Sequence, residues 1–341
     1  MSTAKTADPA AIARTLSDIL TRAAPEIEAG AAGIDKLVRL SGGASQETWA
    51  FELIGPQGAK RMIFRRPPPG ARPDDPAAGP ELESQVIAAA AKAGVPVPHI
   101  RLLMSQDKHG TRGYVMDSVP GETLARRIIR DDVYAPARAR FSQQVGEIFA
   151  GIHRADYSGI QGLRHVKADE AVAVLEGRYR RTQCPRPVFE LALAWLKKNL
   201  PPTPERPVLV HGDFRNGNLI FGPEGVRAVI DWEGVHIGDP MEDLAWVCVT
   251  PWRFGALDKP VGGVGELEDM FAAYEAAAGR PVDRAAVRFW ETYGSLKWGV
   301  MCASMVEWVR TGEDASIERV MIARRASENE IDLLRLLTPL V

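Results

Sequence analysis

The stretch Leu209–Phe221 has the sequence LVHGDFRNGNLIF, in which a short polar loop separates two apolar runs. The apolar runs predict two buried strands. The loop between them carries a histidine, an aspartate, an arginine and two asparagines, which are costly to bury without partners.

A second stretch, VRAVIDWEGV at 226–235, places Asp231 eighteen residues after Asp213, and Asn218 lies five residues after Asp213. Both aspartates follow apolar runs, so both are expected at strand ends that face a common cleft. Asn218 and Asp231 each offer an oxygen to Mg²⁺, which is typically held by one or two carboxylates and substrate phosphates. Asp213 would remain free to accept a proton from an attacking hydroxyl, as in phosphoryl transfer.

The pattern HGDxxxxN followed by IDW resembles the aminoglycoside phosphotransferase family, whose members are relatives of the eukaryotic protein kinases. The resemblance implies that Asp213 is the catalytic base and that Asn218 and Asp231 are the Mg²⁺ ligands. It also implies that His211 braces the loop by hydrogen bonds, and it leaves Arg215 open between a phosphate or substrate contact and a surface position. The triplet HGD alone would also fit a turn in which the aspartate caps a helix, whereas the complete pattern is far more specific.

Downstream, GDPMEDLAW at 238–246 also matches that family. Asp239 is expected to cap the helix that follows and to tie down the catalytic loop, because aspartate oxygens accept from the free N–H groups at a helix start. A metal-binding role for Asp239 or Asp243 is the alternative.

The first 120 residues predict a helix at 9–25 and then the order strand, strand, strand, helix, strand, strand. Beyond residue 121 helical spacing prevails, and one predicted helix ends near His153. The apolar residues of that helix are Phe141, Val145, Ile148 and Ile152. With the resemblance, this pattern predicts an α+β, protein-kinase-like bilobal fold. Its parts are an N-terminal nucleotide-binding lobe with a small antiparallel sheet at 1–119 and a larger, mostly helical catalytic and substrate-binding lobe at 120–341.

A kinase-like lobe needs a basic residue on its third strand to hold the α- and β-phosphates. In RMIFRRPPPG at 61–70, Arg65 stands about where the family places a lysine, with Arg66 next to it. Arginine can grip phosphate bidentately, whereas lysine acts as a point charge. Only one of the two can face the cleft, because successive side chains on a strand alternate. Arg65 is the favoured candidate, Arg66 the second, and a solvated strand end the structural alternative.

The same lobe needs an acidic partner for that cation on the following helix. In ELESQVIAAAAKAGVPVP at 81–98, Glu83 fits by its distance from the Val-Pro-Val-Pro segment. Glu81 is the neighbouring candidate, but two residues away on a helix it points to a different face. An exposed helix glutamate is the alternative.

The stretch LSGGASQETWAFEL at 40–53 occupies the nucleotide-loop position between the first two strands. Gly42 and Gly43 would let the backbone approach a phosphate closely, and backbone N–H groups with the Ser45 hydroxyl could donate to it. The stretch is not GxGxxG, and a Gly-Gly hairpin alone is weak support for a nucleotide site.

The stretch YVMDSVPGETL at 114–124 matches the interlobe linker of the same family. The resemblance implies that the backbone of Met116, Asp117 and Val119 hydrogen-bonds the adenine edge. A strand followed by an ordinary loop is the alternative. The implied cofactors are ATP and Mg²⁺, with GTP left open in place of ATP.

The chain has 341 residues and a formal net charge of −2, so no general attraction to nucleic acid or an anionic membrane is implied. Its three cysteines form no CxxC pair, which argues against a zinc site or a disulfide framework. The N-terminus predicts an amphipathic helix rather than a signal peptide, and no apolar run is long enough to span a membrane. We therefore expect a cytoplasmic protein. We also expect a monomer or a homodimer, and the resemblance implies a small-molecule hydroxyl acceptor as its partner.

The family acts on hydroxyls of very different small molecules, so the motif does not select the acceptor. Polycationic aminoglycosides would call for an acidic surplus in the substrate lobe, but acidic and basic residues nearly balance between Thr250 and Arg310. The tryptophans of that region are expected mostly in the core, and some could line an apolar acceptor pocket.

The details GGASQETWAFEL, FRRPPPG and HGDFRNGNLIF look similar to the kinase-like domain of acyl-CoA dehydrogenase family members 10 and 11 and to their bacterial stand-alone relatives. This resemblance implies an ATP- and Mg²⁺-dependent kinase for a hydroxyacyl-CoA. An aminoglycoside or macrolide kinase and a nucleotide-binding pseudokinase are the alternatives. A protein kinase is a weaker one, because no APE motif follows IDW.

Overall fold

The computed structural model describes residues 9–40, 46–68, 78–312, 314 and 316–338. A five-stranded antiparallel sheet lies in the N-terminal third, and helices dominate the remainder. The predicted α+β class, with a small sheet lobe and a larger helical lobe, is confirmed, whereas the expected lobe boundary at 119/120 stays a prediction. Among the helices in the described ranges, none has the length and apolarity to cross a membrane.

The N-terminal lobe follows the predicted order of elements with one difference. The polar turn QDKHG contains a four-residue helix, α3. The sheet pairs in the order β1-β2-β3-β5-β4, and every pair is antiparallel. The elements are α1 (Pro9–Ile27), β1 (Gly33–Arg39), β2 (Glu47–Gly55), β3 (Gly58–Arg66), α2 (Pro80–Lys92), β4 (Ile100–Met104), α3 (Gln106–His109) and β5 (Gly113–Asp117).

The sheet is covered on both faces. On one face α1 buries Leu16, Leu20 and Ala24, which recur every four residues and so form a single helical stripe. On the other face α2 packs with the core of the helical lobe. Strand β5 separates the two layers, because Val115 joins the cluster under α1 while Tyr114 joins the larger core.

The helical lobe is organised around α5, whose predicted apolar stripe is buried and which ends at Arg154, one residue beyond the expected end. The elements in its first half are α4 (Ala125–Arg130), α5 (Ala135–Arg154), α6 (Ala168–Arg181), α7 (Pro187–Lys198), β6 (Val208–Val210), β7 (Leu219–Gly222) and β8 (Gly225–Val229). The elements in its second half are β9 (His236–Gly238), α8 (Met241–Trp246), α9 (Leu267–Ala278), α10 (Arg284–Thr311), α11 (Ile317–Ala323) and α12 (Ala326–Leu337).

Two small sheets position the HGD loop. Strand β6 pairs with β9 and β7 pairs with β8, both antiparallel. Glu122, just after β5, exchanges two backbone hydrogen bonds of 2.9 Å with Phe221 on β7, and the Val229 amide donates to the Pro96 carbonyl at 2.8 Å. The bond to Pro96 joins the N-terminal lobe to the hairpin β7–β8, and the bonds of Glu122 hold the segment after the predicted interlobe linker on the same hairpin. The polar loop therefore lies where the two lobes meet.

Helices α5 and α9 approach each other closely at Gly146. A Cβ atom there would lie 2.5 Å from the Met270 carbonyl oxygen and 2.8 Å from the Tyr274 amide nitrogen. Both neighbours are backbone atoms of α9, so they cannot move aside as a flexible side chain would. The close helix contact therefore requires glycine at position 146.

A buried ion pair stabilises β9 beside the HGD loop. The His236 ring lies 3.0 Å from Glu242 Oε2 through Nε2 and 3.0 Å from the Gly234 carbonyl oxygen through Nδ1. Both partners are acceptors, so the ring donates from both nitrogens and is an imidazolium. Burial alone would lower the pKa of His236, but the Glu242 carboxylate outweighs burial and raises the pKa above its ordinary value.

The Gly146→Ala variant is expected to be less stable by about 1–3 kcal/mol, because the added methyl group overpacks the contact between α5 and α9. Gly177→Ala is the matched control: it lies within α6, where a Cβ would meet only Arg181 Nη1 at 3.8 Å. The control should be as stable as the natural chain or more stable, by up to about 1 kcal/mol, since alanine favours a helix. Urea unfolding of both variants measures the difference, and equal effects would contradict the proposed contact.

The stability difference between the natural chain and His236→Gln should depend on pH. Because the native pKa of His236 is raised, the imidazolium stabilises the fold fully below the unfolded pKa of about 6.5. That stabilisation is lost as the pH rises through the higher native pKa. The unfolding free energies of the natural chain and of His236→Gln, measured from pH 6 to pH 9, should therefore converge towards pH 9. Glu242→Gln should also abolish this dependence, and parallel curves for natural chain and variant would contradict the assignment.

Candidate active site

His211 is fully buried and connects the HGD loop to the IDW segment. Its Nδ1 accepts from the Asp213 amide at 3.2 Å, and its Nε2 lies 3.2 Å from the Ile230 carbonyl oxygen. The ring therefore carries its proton on Nε2 and is neutral, and burial lowers the pKa of His211 accordingly. This is the bracing geometry that the sequence predicted for His211.

The loop backbone is anchored by Asp243, a fully buried carboxylate on α8. Its Oδ2 accepts from the His211 amide at 2.8 Å, and its Oδ1 accepts from the Gly212 amide at 3.0 Å. His153 Nε2 lies 3.4 Å from Oδ2. Burial alone would raise the pKa of Asp243, but its hydrogen bond and Coulombic interaction with His153, followed by its interactions with His211, lower the pKa below the ordinary value.

Gly212 allows this anchoring because its φ of +77° lies in the left-handed region. A Cβ at this position would also come within 2.6 Å of the Gly234 carbonyl oxygen. The glycine of HGD thus lets the loop turn tightly against the segment that follows IDW.

The expectation that Asp239 ties down the loop is wrong. Asp239 accepts from the Met241 amide and from Trp290 Nε1, both at 2.9 Å. It therefore stabilises the start of α8, as expected, and also holds α10. The residue that anchors the loop is Asp243. It lies four residues, about one helical turn, after Asp239, and this places its carboxylate beside the His211 and Gly212 amides.

The Asp213 carboxylate is held by three side chains. Trp246 Nε1 donates to Oδ1 at 2.9 Å, and Asn218 Nδ2 donates to Oδ2 at 2.7 Å. Arg215 Nε makes a longer contact with Oδ2 at 3.4 Å. The Asp213 side chain is 28% exposed, so it is oriented by the protein and still reachable by a ligand.

Asn218 links the two halves of the predicted site. Its Nδ2 also donates to the backbone carbonyl oxygen of Asp213 at 2.9 Å. The backbone carbonyl oxygen of Asn218 accepts from the Ile230 amide at 2.9 Å. Because Ile230 immediately precedes Asp231, these bonds bring Asp213, Asn218 and Asp231 into one region, as predicted. Because Asn218 Nδ2 faces these Asp213 acceptors, Asn218 Oδ1 points away from them.

Asp231 adopts a left-handed conformation with φ +68° and ψ +66°, which is uncommon for a residue other than glycine. Its Oδ1 accepts from Arg65 Nη2 at 2.8 Å. Among the described residues, none donates a hydrogen bond to Asp231 Oδ2 or to Asn218 Oδ1. A carboxylate oxygen and an amide oxygen without protein donors are suited to bind a Mg²⁺ ion whose other ligands are phosphates and water.

The structure distinguishes the two candidate arginines on β3. Arg65 is buried, and its guanidinium is directed at Asp231. Arg66 points to the opposite side of the strand, where its Nε donates to Glu47 at 2.7 Å. The alternation of β3 thus turns Arg65 towards Asp231 of the IDW segment and Arg66 away from it.

Glu83 and Arg65 are connected through Gln46, which the sequence analysis did not single out. Gln46 Oε1 accepts from Arg65 Nε at 3.2 Å, and Gln46 Nε2 donates to Glu83 Oε1. Tyr114 donates to the other oxygen of Glu83 at 2.8 Å. The expected cation and carboxylate are therefore bridged by an amide, whereas Glu81 forms a surface pair with Arg112.

Burial is the largest influence on this network. Burial raises the pKa of Glu83 above its ordinary value, although Arg65, Tyr114 and Gln46 oppose the shift. Burial alone would lower the pKa of Arg65, but Tyr114, Asp231 and Glu83 outweigh it, so the pKa of Arg65 is raised. The guanidinium is thus a permanent charge inside the cleft.

The three predicted linker residues, Met116, Asp117 and Val119, differ in burial and in which of their polar groups are already hydrogen-bonded. Met116 is buried in the core that faces the helical lobe. Asp117 donates its amide proton to the His99 carbonyl at 2.9 Å, and its carboxylate forms two 2.8 Å bonds with Arg101. The Val119 amide, by contrast, makes no hydrogen bond within the described part of the chain. Gly42, Gly43 and Ser45 lie outside the described residues.

Trp246 and Arg215 complete the surroundings of Asp213. Trp246 is the last residue of the GDPMEDLAW stretch. Its place in that motif is the sequence feature that could have identified it as a site residue. The Arg215 guanidinium lies 5.0 Å from the centroid of the Trp252 ring. Arg215 therefore belongs to the site rather than to the open surface.

The chain matches the model of the phosphotransferase enzyme family (APH) over residues 36–290. It is 30% identical over 269 residues to acyl-CoA dehydrogenase family member 10 of Mus musculus, which covers 72% of this chain and 24% of the mouse protein. The chain thus spans about a quarter of that relative. The expected likeness to family members 10 and 11 is confirmed.

Two solved structures share the fold. One is a protein of Ralstonia eutropha JMP134 provisionally classed as an aminoglycoside phosphotransferase, with a TM-score of 0.74, 22% identity and coverage of 95% of this chain and 97% of that one. The other is a mutant aminoglycoside phosphotransferase in a ternary complex with AMP-PNP and hygromycin B, with a TM-score of 0.60, 17% identity and coverage of 89% and 95%. The family match over most of the chain, together with this fold, establishes that the protein belongs to the phosphotransferase enzyme family.

Proposed function

We propose that the chain transfers the γ-phosphoryl group of ATP to a hydroxyl group of a small molecule, with Mg²⁺ as cofactor. The observation that carries the proposal is the carboxylate of Asp213, which Trp246 and Asn218 hold by hydrogen bonds while more than a quarter of it stays exposed. A carboxylate in such a position can accept the proton of an attacking hydroxyl.

In the proposed reaction Asp213 orients the acceptor hydroxyl and takes its proton as the oxygen bonds to the γ-phosphorus. The bond between that phosphorus and the β,γ-bridging oxygen breaks, and ADP leaves with the bond's electron pair. Trp246 and Asn218 keep the Asp213 carboxylate in place, which is a positioning effect. Phosphoryl transfer depends largely on positioning and charge neutralisation, so this rigid frame is the main contribution of the loop.

Asn218 and Asp231 are the proposed Mg²⁺ ligands. The cation would neutralise charge on the β- and γ-phosphates. No group of three or more His, Cys, Asp or Glu in the described ranges is arranged to hold a metal by itself. The proposal therefore requires phosphate oxygens and water to complete the coordination, as is usual for Mg²⁺ in kinases.

Arg65 is the proposed contact for the nucleotide phosphates, and Glu83 acts through Gln46 to hold its guanidinium. The Val119 amide, together with the neighbouring backbone of Met116 and Asp117, is proposed to meet the adenine edge. Gly42, Gly43 and Ser45 are proposed to cover the phosphates. Support for a nucleotide comes from the similar fold of the enzyme whose structure contains AMP-PNP.

A hydroxyacyl-CoA is the proposed acceptor. Its support is the similarity to acyl-CoA dehydrogenase family member 10 and the lack of an acidic surplus at 250–310. An aminoglycoside such as hygromycin B, which the similar structure contains, is the second candidate.

Asp213→Asn should lower the rate of phosphoryl transfer by at least about 10²-fold, because an amide cannot take the hydroxyl proton. Binding of Mg-ATP, measured by calorimetry, should remain. Asp169→Asn, an exposed change in the first turn of α6, is the control and should leave turnover unchanged. An Asp213→Asn enzyme with full turnover would refute the assignment of the base.

Asp231→Ala should remove the increase in nucleotide affinity that Mg²⁺ confers. Without Mg²⁺ the variant should bind ATP as well as the natural chain or better, because the change also frees Arg65 from its 2.8 Å ion pair. Calorimetric titrations with ATP in Mg²⁺ and in EDTA separate the two effects. An unchanged Mg²⁺ dependence in the variant would contradict a ligand role for Asp231.

A further inference from the structure

Three tryptophans form a cluster beside Asp213, here called the tryptophan cluster: Trp246, Trp252 and Trp298. The ring centroids of Trp246 and Trp252 are 5.4 Å apart, and those of Trp252 and Trp298 are 5.0 Å apart. The three rings come from the end of α8, the loop that follows it, and α10. Each of the three segments thus contributes one ring to the tryptophan cluster, which is not the apolar face of a single helix.

The tryptophan cluster is tied directly to the catalytic loop. Trp246 donates its indole proton to Asp213 Oδ1 at 2.9 Å. Asn216, inside the loop, donates to the carbonyl oxygens of Gly262 at 2.5 Å and Trp252 at 3.4 Å. Any group that binds against these rings is consequently close to the proposed base.

Two cations lie on the tryptophan cluster. The Arg215 guanidinium lies 5.0 Å from the Trp252 centroid, and the Lys297 ammonium lies 4.6 Å from the Trp246 centroid. Arg215 already contacts Asp213, whereas Lys297 forms no ion pair with any carboxylate in the described part of the chain. Lys297 is only partly exposed, so this positive charge is partly removed from water without an anionic partner.

The tryptophan cluster also holds unused hydrogen-bond donors. The indole N–H groups of Trp252 and Trp298 are buried and have no acceptor among the described residues. Trp252 is 94% buried, since 6% of its surface is exposed. A buried donor left unpaired costs about 1–3 kcal/mol, a cost that an oxygen-bearing ligand would remove.

We propose that the tryptophan cluster with Lys297 and Arg215 is the acceptor subsite and that it selects acceptors carrying an anionic group, either a carboxylate or a phosphate. The inference rests on the proposed phosphotransferase function and adds the charge class of its substrate. The anion pairs with Lys297, its oxygens accept from the unused indole N–H groups, and its carbon chain packs on the rings. Trp246 contacts both Lys297 and Asp213, so a ligand whose anion pairs with Lys297 can place its hydroxyl group at Asp213.

Charge decides against a polycationic acceptor in this subsite. A ligand with several ammonium groups would meet Lys297, which forms no ion pair with a carboxylate of the described residues, and like charges at such distances repel. An anionic ligand instead gains charge-assisted hydrogen bonds, which are roughly twice as strong as neutral ones.

The substrate test uses two matched pairs of acceptor probes with the full chain. One pair is 3-hydroxybutanoate and its amide, which differ by the carboxylate charge. The other pair is 3-hydroxybutanoyl-CoA and the same acyl group on pantetheine, which differ by the phosphates and nucleotide of CoA. A KM lower by about tenfold or more for the anionic member is expected. The pair that shows this difference identifies the source of the anion, and no difference in either pair would overturn the proposal.

The residue test uses Lys297→Met, which keeps most of the side-chain stem and removes the charge. KM for the preferred anionic probe should rise at least about tenfold, with KM for its neutral partner and kcat changed less than about twofold. Lys198→Met, at an exposed lysine at the end of α7, is the control and should change neither value. An unchanged ratio of anionic to neutral KM in Lys297→Met would overturn the proposal.

Trp252→Phe is a second variant that keeps an aromatic ring and removes the unused donor. Its KM for the anionic probe should rise by about two- to tenfold, the worth of one hydrogen bond. A thermal unfolding midpoint equal to that of the natural chain would show that the variant is folded. A folded Trp252→Phe protein with unchanged KM would remove the indole donor from the subsite.

Equilibrium binding separates the failure of this inference from that of the proposed function. Each probe is titrated into the nucleotide-free chain while tryptophan fluorescence is recorded. Binding of the anionic probe that is lost in Lys297→Met supports the subsite even if no phosphoryl transfer follows. Transfer to neutral and anionic probes with equal efficiency, unaffected by Lys297→Met, would overturn the subsite and leave the phosphotransferase proposal standing.

Discussion

The buried carboxylate of Asp243 accepts hydrogen bonds from two consecutive amides of the HGD loop, at His211 and Gly212, and faces His153 on α5. These contacts set where the loop backbone runs, and the loop backbone sets where Asp213 lies. Loss of the carboxylate would leave two buried N–H groups unpaired, each costing about 1–3 kcal/mol. The geometry of the site therefore depends on a residue that need not touch a ligand at all.

The charged side chains in the cleft are likewise each paired with a hydrogen-bonding partner. Arg65 is satisfied by Asp231 on one side and by Gln46 on the other, and Gln46 in turn satisfies Glu83. Each of these groups would be costly alone in a buried position. A divalent cation with phosphates would supply new partners of the right sign, so the network can exchange its internal pairs for a ligand without leaving a charge unpaired.

Much of the site could be predicted from the sequence because its chemistry lies in short, ordered motifs. The spacing of Asp213, Asn218 and Asp231 indicated a shared region, and the hydrogen bonds of Asn218 with Asp213 and with the Ile230 amide bring them there. The assignment of the loop anchor to Asp239 was wrong, because both aspartates lie in one motif and only packing distinguishes them. Gln46 was missed, since an amide that bridges two charges leaves no periodic or compositional signal.

The sequence alone determined the α+β class, the order of elements in the sheet lobe and the residue types around the proposed phosphoryl transfer. These follow from local hydrophobic period and from side-chain chemistry at close spacing. Only the tertiary structure decided that Arg65 faces Asp231, that Asp243 holds the HGD loop, and that Lys297 lies over Trp246. Those contacts join residues far apart in the chain, and their formation depends on how helices and strands pack, which no local pattern encodes.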